Sequence, residues 1–159
     1  MAARRIAGYR ARMAYLVRFA SSPADLDAGY KLRRDVFETE QNIPRPLDRD
    51  PFDYSADHVV AFDEQGRCVG TGRVVRIDMR TAQIGRMAVA ADVRKHGVGA
   101  LVLEALERMA RMRGISELTV NSQLPAEAFY RNRGFVRVGE PFLDQGVPHV
   151  VMRKPLPPV

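Results

Sequence analysis

The sequence predicts an α/β (α+β) domain. Seven short strand-like runs are spread along the chain, a long amphipathic stripe separates the fourth from the fifth, and two further helical segments lie between other runs. At 159 residues the chain fits one domain and can bury a core without staples. Its 46% hydrophobic content is that of a globular protein and argues against disorder.

Each element has a local reason. Residues 14–20 (AYLVRFA) read as the first strand. Ser22, Pro23 and Asp25 then supply a cap, a first-turn proline and an acid three residues after the cap, so a helix starts here. Leu26, Tyr30 and Phe37 carry it at near-helical spacing to about Glu40. Residues 42–55 are rich in proline and aspartate and read as a loop with room for a short helical turn. Residues 57–63 and 67–78 form a hairpin around Glu64-Gln65-Gly66, and Gly70 and Gly72 suggest a bend or close backbone contact. Residues 82–89 are the fourth strand.

Val98, Leu101, Val102, Ala105, Leu106 and Met109 then fall on one helical face, with Glu104–Arg108 and Glu107–Arg111 as i,i+4 pairs outside it and Gly114 as the cap. Residues 117–121 are the fifth strand, 125–133 a short helix stopped by Gly134, and 135–138 and 147–153 the last two strands. The prolines of the tail KPLPPV should keep it out of the sheet.

Lysine plus arginine is 25 against 19 acids, a net charge of +6, which suggests an anionic partner: nucleic acid, a membrane surface or a phosphorylated cofactor. The basic residues are scattered and form no recognised nucleic-acid motif, so nucleic acid is not expected. No run approaches the roughly 20 apolar residues that span a bilayer, so no membrane role is expected either. Cys68 is the single cysteine, which rules out an intrachain disulfide and a Cys-rich metal site; no metal is expected, and a reducing, cytoplasmic setting fits. Residues 1–13 are basic and lack the apolar core of a secretory signal, so they read as an extension before a domain at 14–159. A transit peptide and an alternative start at Met13 stay open.

Arg94-Lys95-His96-Gly97-Val98-Gly99 opens the long helix. Amides at a helix N-terminus attract anions, and glycines let a phosphate approach the backbone closely. A pyrophosphate suits this turn, although a basic turn before a core helix is the plainer reading. Further on, Tyr130 stands four residues before Gly134-Phe135 on the short helix. Together these resemble the GNAT superfamily of N-acetyltransferases, whose coenzyme A signature is Arg/Gln-x-x-Gly-x-Gly/Ala between the fourth strand and the next helix. The resemblance runs from about residue 14 to 154. Leu32-Arg33-x-x-Val36-Phe37-x-x-Glu40-Gln41, the acidic loop through Asp53 to His58, and Pro148-His149 are similar to the ElaA/YjcF-like branch. Gln123 stands where many members have asparagine.

The resemblance implies a GNAT fold: one mixed, mostly antiparallel sheet of about six to seven strands flanked by helices, in the order β-α-α-β-β-β-α-β-α-β-β. It implies acetyl-coenzyme A as co-substrate and an amine as acceptor, and it leaves room for a homodimer. The coenzyme site would comprise Met87, Ala88 and Val89 along the pantetheine arm, Arg94 to Ala100 (Arg94, Lys95, His96, Gly97, Val98, Gly99, Ala100) at the phosphates, and Gln123, Phe129 and Tyr130. Tyr130 would protonate the leaving thiolate. Glu40, His58, Arg86 and His149 are the candidate acceptor-side residues; the general base stays open among Glu40, His58, His149 and a water relay, and Arg86, a polar residue in an apolar strand, faces either the cleft or solvent. The acids of residues 48–57 hint at a cationic acceptor. A coenzyme-binding module without turnover is the alternative to an enzyme.

Overall fold

A computed structural model of the chain describes residues 14–42 and 49–158. The extension expected at 1–13 lies outside the described residues. The hairpin read from the sequence forms the centre of the fold: β2 (Asp57–Phe62) pairs antiparallel with β3 (Cys68–Arg76). β1 (Leu16–Phe19) adds to one side and β4 (Thr81–Val89) to the other. Helix α1 (Pro23–Arg34) lies between β1 and β2 in the chain, with Ser22 accepting a bond from the Asp25 amide as its cap. Helix α2 (Val98–Met112) crosses from β4 to β5 (Glu117–Gln123), and this is the one parallel pair among the described strands. A short helix α3 (Glu127–Arg131) leads to β6 (Val136–Asp144) and β7 (Val147–Pro155). The sheet has seven strands in the order β1-β2-β3-β4-β5-β7-β6. The expected mixed, mostly antiparallel sheet flanked by helices is what the chain forms.

The structure departs from the expectation at several points. The first helix is α-helical only to Arg34; Asp35–Glu40 continue it as a wider π turn. Leu103 is buried off the expected stripe, of which Val98, Val102, Ala105 and Leu106 are buried and Leu101 and Met109 half-buried. β6 runs to Asp144 because Gly139 takes a left-handed φ of +79° that absorbs a register shift between Val138 and Phe142. Its side chains are mostly exposed, so no alternation of polarity betrays the extra length. β7 reaches Pro155, opposite Glu117. The missing proline amide does not break the edge, because the Leu156 amide donates to the Ser116 carbonyl next along.

The two faces of the sheet are built from different chemistry. Under α2 the face is apolar: Val98, Val102 and Leu106 pack on Val59, Ala61 and Val69. This contact needs Gly70 and Gly72, since a Cβ at Gly70 would sit 2.6 Å from Val98 Cγ1 and one at Gly72 2.8 Å from Leu106 Cδ1. Outside this packing, Glu107 accepts a bond from Lys154 Nζ. Under α1 the face is ionic. Arg33 donates to both Asp53 carboxylate oxygens, at 2.8 and 3.2 Å. Arg73 Nη1 donates to Asp53 Oδ1 and Asp50 Oδ1, each at 2.7 Å, and its Nη2 to Asp50 Oδ2 at 2.9 Å. A short 3₁₀ turn, Pro51–Tyr54, presents the two acids, with Asp50 and Asp53 capping it reciprocally. Arg33, Asp53 and Arg73 are 1%, 4% and 7% exposed. Burial alone would raise the Asp53 carboxyl. Hydrogen bonds and charge from Arg33, joined by Arg73, outweigh it and hold the group below the usual carboxylate range.

Removing one member of a buried ionic cluster strands the others. Asp53→Asn should therefore destabilise the fold by about 3–5 kcal/mol and lower the melting temperature by roughly 10 °C, measured by calorimetry at neutral pH. Because the folded-state carboxyl is held low, its contribution is complete above about pH 4 and is lost as pH falls through the folded value. The variant's stability should accordingly decline less steeply with acid than the wild type's; parallel declines would show that Asp53 is not the titrating group.

Candidate active site

Strands β4 and β5 pair over four residues only, from Thr81–Glu117 to Ile84–Val120. β4 then stays with β3 as far as Val89, while β5 stays with β7 as far as Gln123. The two halves of the sheet part like a V, and the β5-facing backbone edge of Gly85–Val89 is left without a strand. A bulge accompanies the parting. Arg73 faces Gly85 and Thr71 faces Ala88, so Gly72 meets both Arg86 and Met87. Arg86 takes a φ of +51°, a left-handed conformation that costs a non-glycine residue about 1–2 kcal/mol.

The V opens into a cleft of about 860 Å³. At one end is the start of α2. Gly97 is its N-cap with φ +91°, Lys95 precedes it at φ +67°, and no side chain caps the helix. The first-turn amides, which have no intrahelical acceptor, are therefore open to an anion. Gly99 packs so that an added Cβ would lie 3.3 Å from the Phe129 ring. Met87, Ala88, Val89, Arg94, Lys95, Gly97, Val98, Gly99, Ala100, Gln123, Phe129 and Tyr130 all line the cleft.

Arg94 is bound back within the chain. Its Nε and Nη2 donate to the Val89 carbonyl at 3.1 and 3.0 Å, and its guanidinium forms a two-bond ion pair with Glu40, with Nη2–Oε2 at 2.7 Å. That pair holds the Glu40 carboxyl below its ordinary range, and Glu40 lies outside the cleft lining. The π turn that carries Glu40 leads it to the turn before α2. His96 likewise lies outside the lining and bonds the Tyr15 hydroxyl at 3.2 Å.

His58 lies away from the cleft lining as well. Its ring is buried against Tyr30, edge to face at 5.7 Å, and Nε2 donates to the Asp53 carbonyl at 2.8 Å. Burial lowers its affinity for a proton. It braces the Pro51–Tyr54 turn and does not face the cleft.

His149 does line the cleft. It sits on β7 opposite Gln123, stacked on Phe142 at 6.0 Å. Its Nδ1 donates to the Val147 carbonyl at 2.7 Å, which in the neutral ring leaves Nε2 as the nitrogen with the lone pair. Tyr130, 5% exposed, is held edge to face between Phe129 and Phe135, at 5.0 and 5.5 Å, and burial pushes its phenol well above the ordinary tyrosine value. Arg86 faces the cleft and donates to Asp50 Oδ2 at 3.2 Å.

Arg73 and Asp50 line the cleft too; Asp50 entered the sequence reading only among the loop acids, and Arg73 not at all. Asp-Pro-x-Asp at residues 50–53 is a legible capping signal, and Arg73 is a charge in an otherwise apolar strand. Their pairing across 23 residues had no local signature.

The family described as the acetyltransferase (GNAT) domain matches residues 29–156. YjcF of Bacillus subtilis, described as an uncharacterized N-acetyltransferase, is 33% identical over 136 residues, which cover 85% of this chain and 96% of YjcF. The crystal structure of Escherichia coli ElaA superposes with a TM-score of 0.76 at 26% identity, covering 88% of this chain and 97% of ElaA. An acyl-CoA N-acyltransferase from Pseudomonas aeruginosa superposes with a TM-score of 0.75 at 26% identity, with the same coverages. A splayed β4–β5 pair, an uncapped glycine-led helix beside it and similarity along nearly the whole chain place this protein in the GNAT superfamily of N-acetyltransferases, in its ElaA/YjcF-like branch.

Proposed function

We propose that residues 14–159 act as a single domain that transfers an acetyl group from acetyl-coenzyme A to a primary amine by direct attack in a ternary complex. The observation that carries this reading is the unpaired edge of β4, which leads from the parting of the sheet to the uncapped start of α2. The residues present fit the coenzyme: an open row of backbone groups suits the amide-bearing arm, and a helix start free of any side-chain cap suits a pyrophosphate. The name of the P. aeruginosa acyl-CoA N-acyltransferase supports the same choice. Acetyl-coenzyme A, when bound, supplies an activated thioester.

The chain's own residues would do the rest. Met87, Ala88 and Val89 offer backbone groups to the arm, and one of their amides polarises the acyl oxygen. Val98, Gly99 and Ala100 present first-turn amides to the phosphates, beside Lys95 and the Arg94 guanidinium. Phe129 and Gly99 form a wall, and Gln123 closes the β5 side through its bond to Gln41. Tyr130 is the proton donor to the departing thiolate. Its phenol, with a reference pKa of about 10, carries its proton at neutral pH. His149 Nε2 takes the proton of the amine, since Val147 fixes the tautomer that leaves this nitrogen open. Glu40 and His58, engaged elsewhere, drop out as bases.

Coenzyme binding is tested by calorimetry. Acetyl-coenzyme A at a hundred times its dissociation constant should stabilise the fold by about 2.7 kcal/mol, a rise in melting temperature of roughly 5–10 °C. Gly99→Leu should weaken binding about tenfold or more, because the new side chain meets Phe129 and covers the first-turn amides. Unchanged affinity in the folded variant would refute the phosphate site. Tyr130→Phe and His149→Gln should each lower kcat by about 10²- to 10⁴-fold on a confirmed acceptor, with coenzyme affinity little altered. A loss confined to KM would make either group a binding residue instead.

A further inference from the structure

Leu32, Arg33, Val36, Phe37, Glu40 and Gln41 set the first helix and its π turn apart in the sequence, and the proposed chemistry gives none of them a step. The structure gives each a partner. Leu32, Val36 and Phe37 are buried in a cluster with Ala88 of β4, and Arg33 is bonded to Asp53. These contacts seat the end of the helix on the strand that parts from β5. The π turn follows at once, and its extra residue rotates what comes after by roughly 100° relative to a continued α-helix. The Gln41 amide closes this turn on the Val36 carbonyl at 3.0 Å.

Glu40 and Gln41 then reach in two directions. The Glu40 carboxylate holds Nη1 and Nη2 of Arg94, and Arg94 Nε and Nη2 donate in turn to the Val89 carbonyl at 3.1 and 3.0 Å. Gln41 Oε1 accepts from Gln123 Nε2 at 3.1 Å. Val89 is the last residue of β4 and Gln123 the last of β5. Two consecutive residues of one turn therefore hold the ends of both parted strands. Past Ile84–Val120 the ladder between these strands has stopped and no longer sets how far apart they stand. The side chains of Arg94 and Glu40 are each 40% exposed, and ion pairs so placed add little to global stability. Their effect is local.

We propose that Glu40 and Gln41 are positioning residues: with Arg94 and Gln123 they brace the two arms of the V and set the width of the cleft where the coenzyme arm would pass. This rests on the coenzyme-site reading above. A preset width spares the coenzyme the cost of ordering the walls as it binds. The brace is a series of contacts, with the π turn in the middle and a strand end on each side. Cutting it on either side frees the same spacing.

The test is a double-mutant cycle read by calorimetry with coenzyme A. Gln41→Ala changes no charge and cuts the β5 side of the brace. It should weaken coenzyme A binding by about 2- to 10-fold, the range of one neutral hydrogen bond, and lower the melting temperature by less than about 4 °C. Glu40→Ala cuts the β4 side. It also removes an anion from beside the phosphates, so its own effect on affinity mixes two causes. When Gln41→Ala is repeated in the Glu40→Ala background, that charge is missing from both proteins compared and cancels. There Gln41→Ala should cost nothing further, because the brace is already cut. Arg94→Ala, which cuts the same side from the other partner, should silence Gln41→Ala equally. A role confined to folding would move the melting temperature and leave the affinity of the folded protein unchanged. Unchanged affinity in Gln41→Ala, tighter binding (the mark of a barrier at the cleft mouth), or the same loss in all three backgrounds would each overturn the proposal. Failure of the wild type to bind coenzyme A would bring down the coenzyme site first, and this inference with it.

Discussion

The parallel pairing of β4 with β5 stops at Ile84–Val120, and the rest of the site depends on that stop. A strand edge carries backbone donors and acceptors that must find partners. Here the β5-facing groups of residues 85–89 turn toward a cleft, with the Val89 carbonyl taken by Arg94, because the bulge at Arg86 and Met87 re-aims the strand while β3 holds its other edge. Had the two strands paired to their ends, the sheet would be closed and the helix start at Gly97 would face a wall. The crossover helix secures the gap. Val98, Val102 and Leu106 fix α2 to the glycines of β3, so the helix start stays beside the freed edge.

The division of the sheet into an apolar and an ionic face follows from the same strands. Alternation along β3 sends Gly70 and Gly72 to α2, and Thr71 and Arg73 to α1. The apolar face can be tight because hydrophobic contact improves with closeness. The ionic face cannot be left half-made, since a buried charge without its partner is costly. Asp50 and Asp53 therefore sit on a short capped turn, which fixes both carboxylates before the arginines reach them. Stability and the polarity of the cleft are coupled here, for Arg73 belongs to both.

Much of the fold was legible locally. The cap at Ser22, the hairpin around Gly66, the stripe from Val98 to Met109 and the stop at Gly114 all express themselves within a few residues, and each is present. Where periodicity was blurred the reading failed. β6 lies exposed at an edge and shows no alternation, and Leu103 is buried off the expected stripe.

The site divides the same way. The glycine-led turn at residues 94–99 and Tyr130 before Gly134-Phe135 are short-range patterns, so the sequence by itself pointed to the family and to residues that line the cleft. Residue type alone made Glu40, His58 and His149 equal candidates, and made the loop acids look like a cation site. Only the tertiary structure separated them. It engaged Glu40 with Arg94, buried His58 on the Asp53 carbonyl and left His149 facing the cleft. It also joined Asp50 and Asp53 to arginines 20 and 23 residues away. The charge a side chain presents to a ligand is what remains after its partners are counted, and those partners are set by packing across the sheet, which no local spacing encodes.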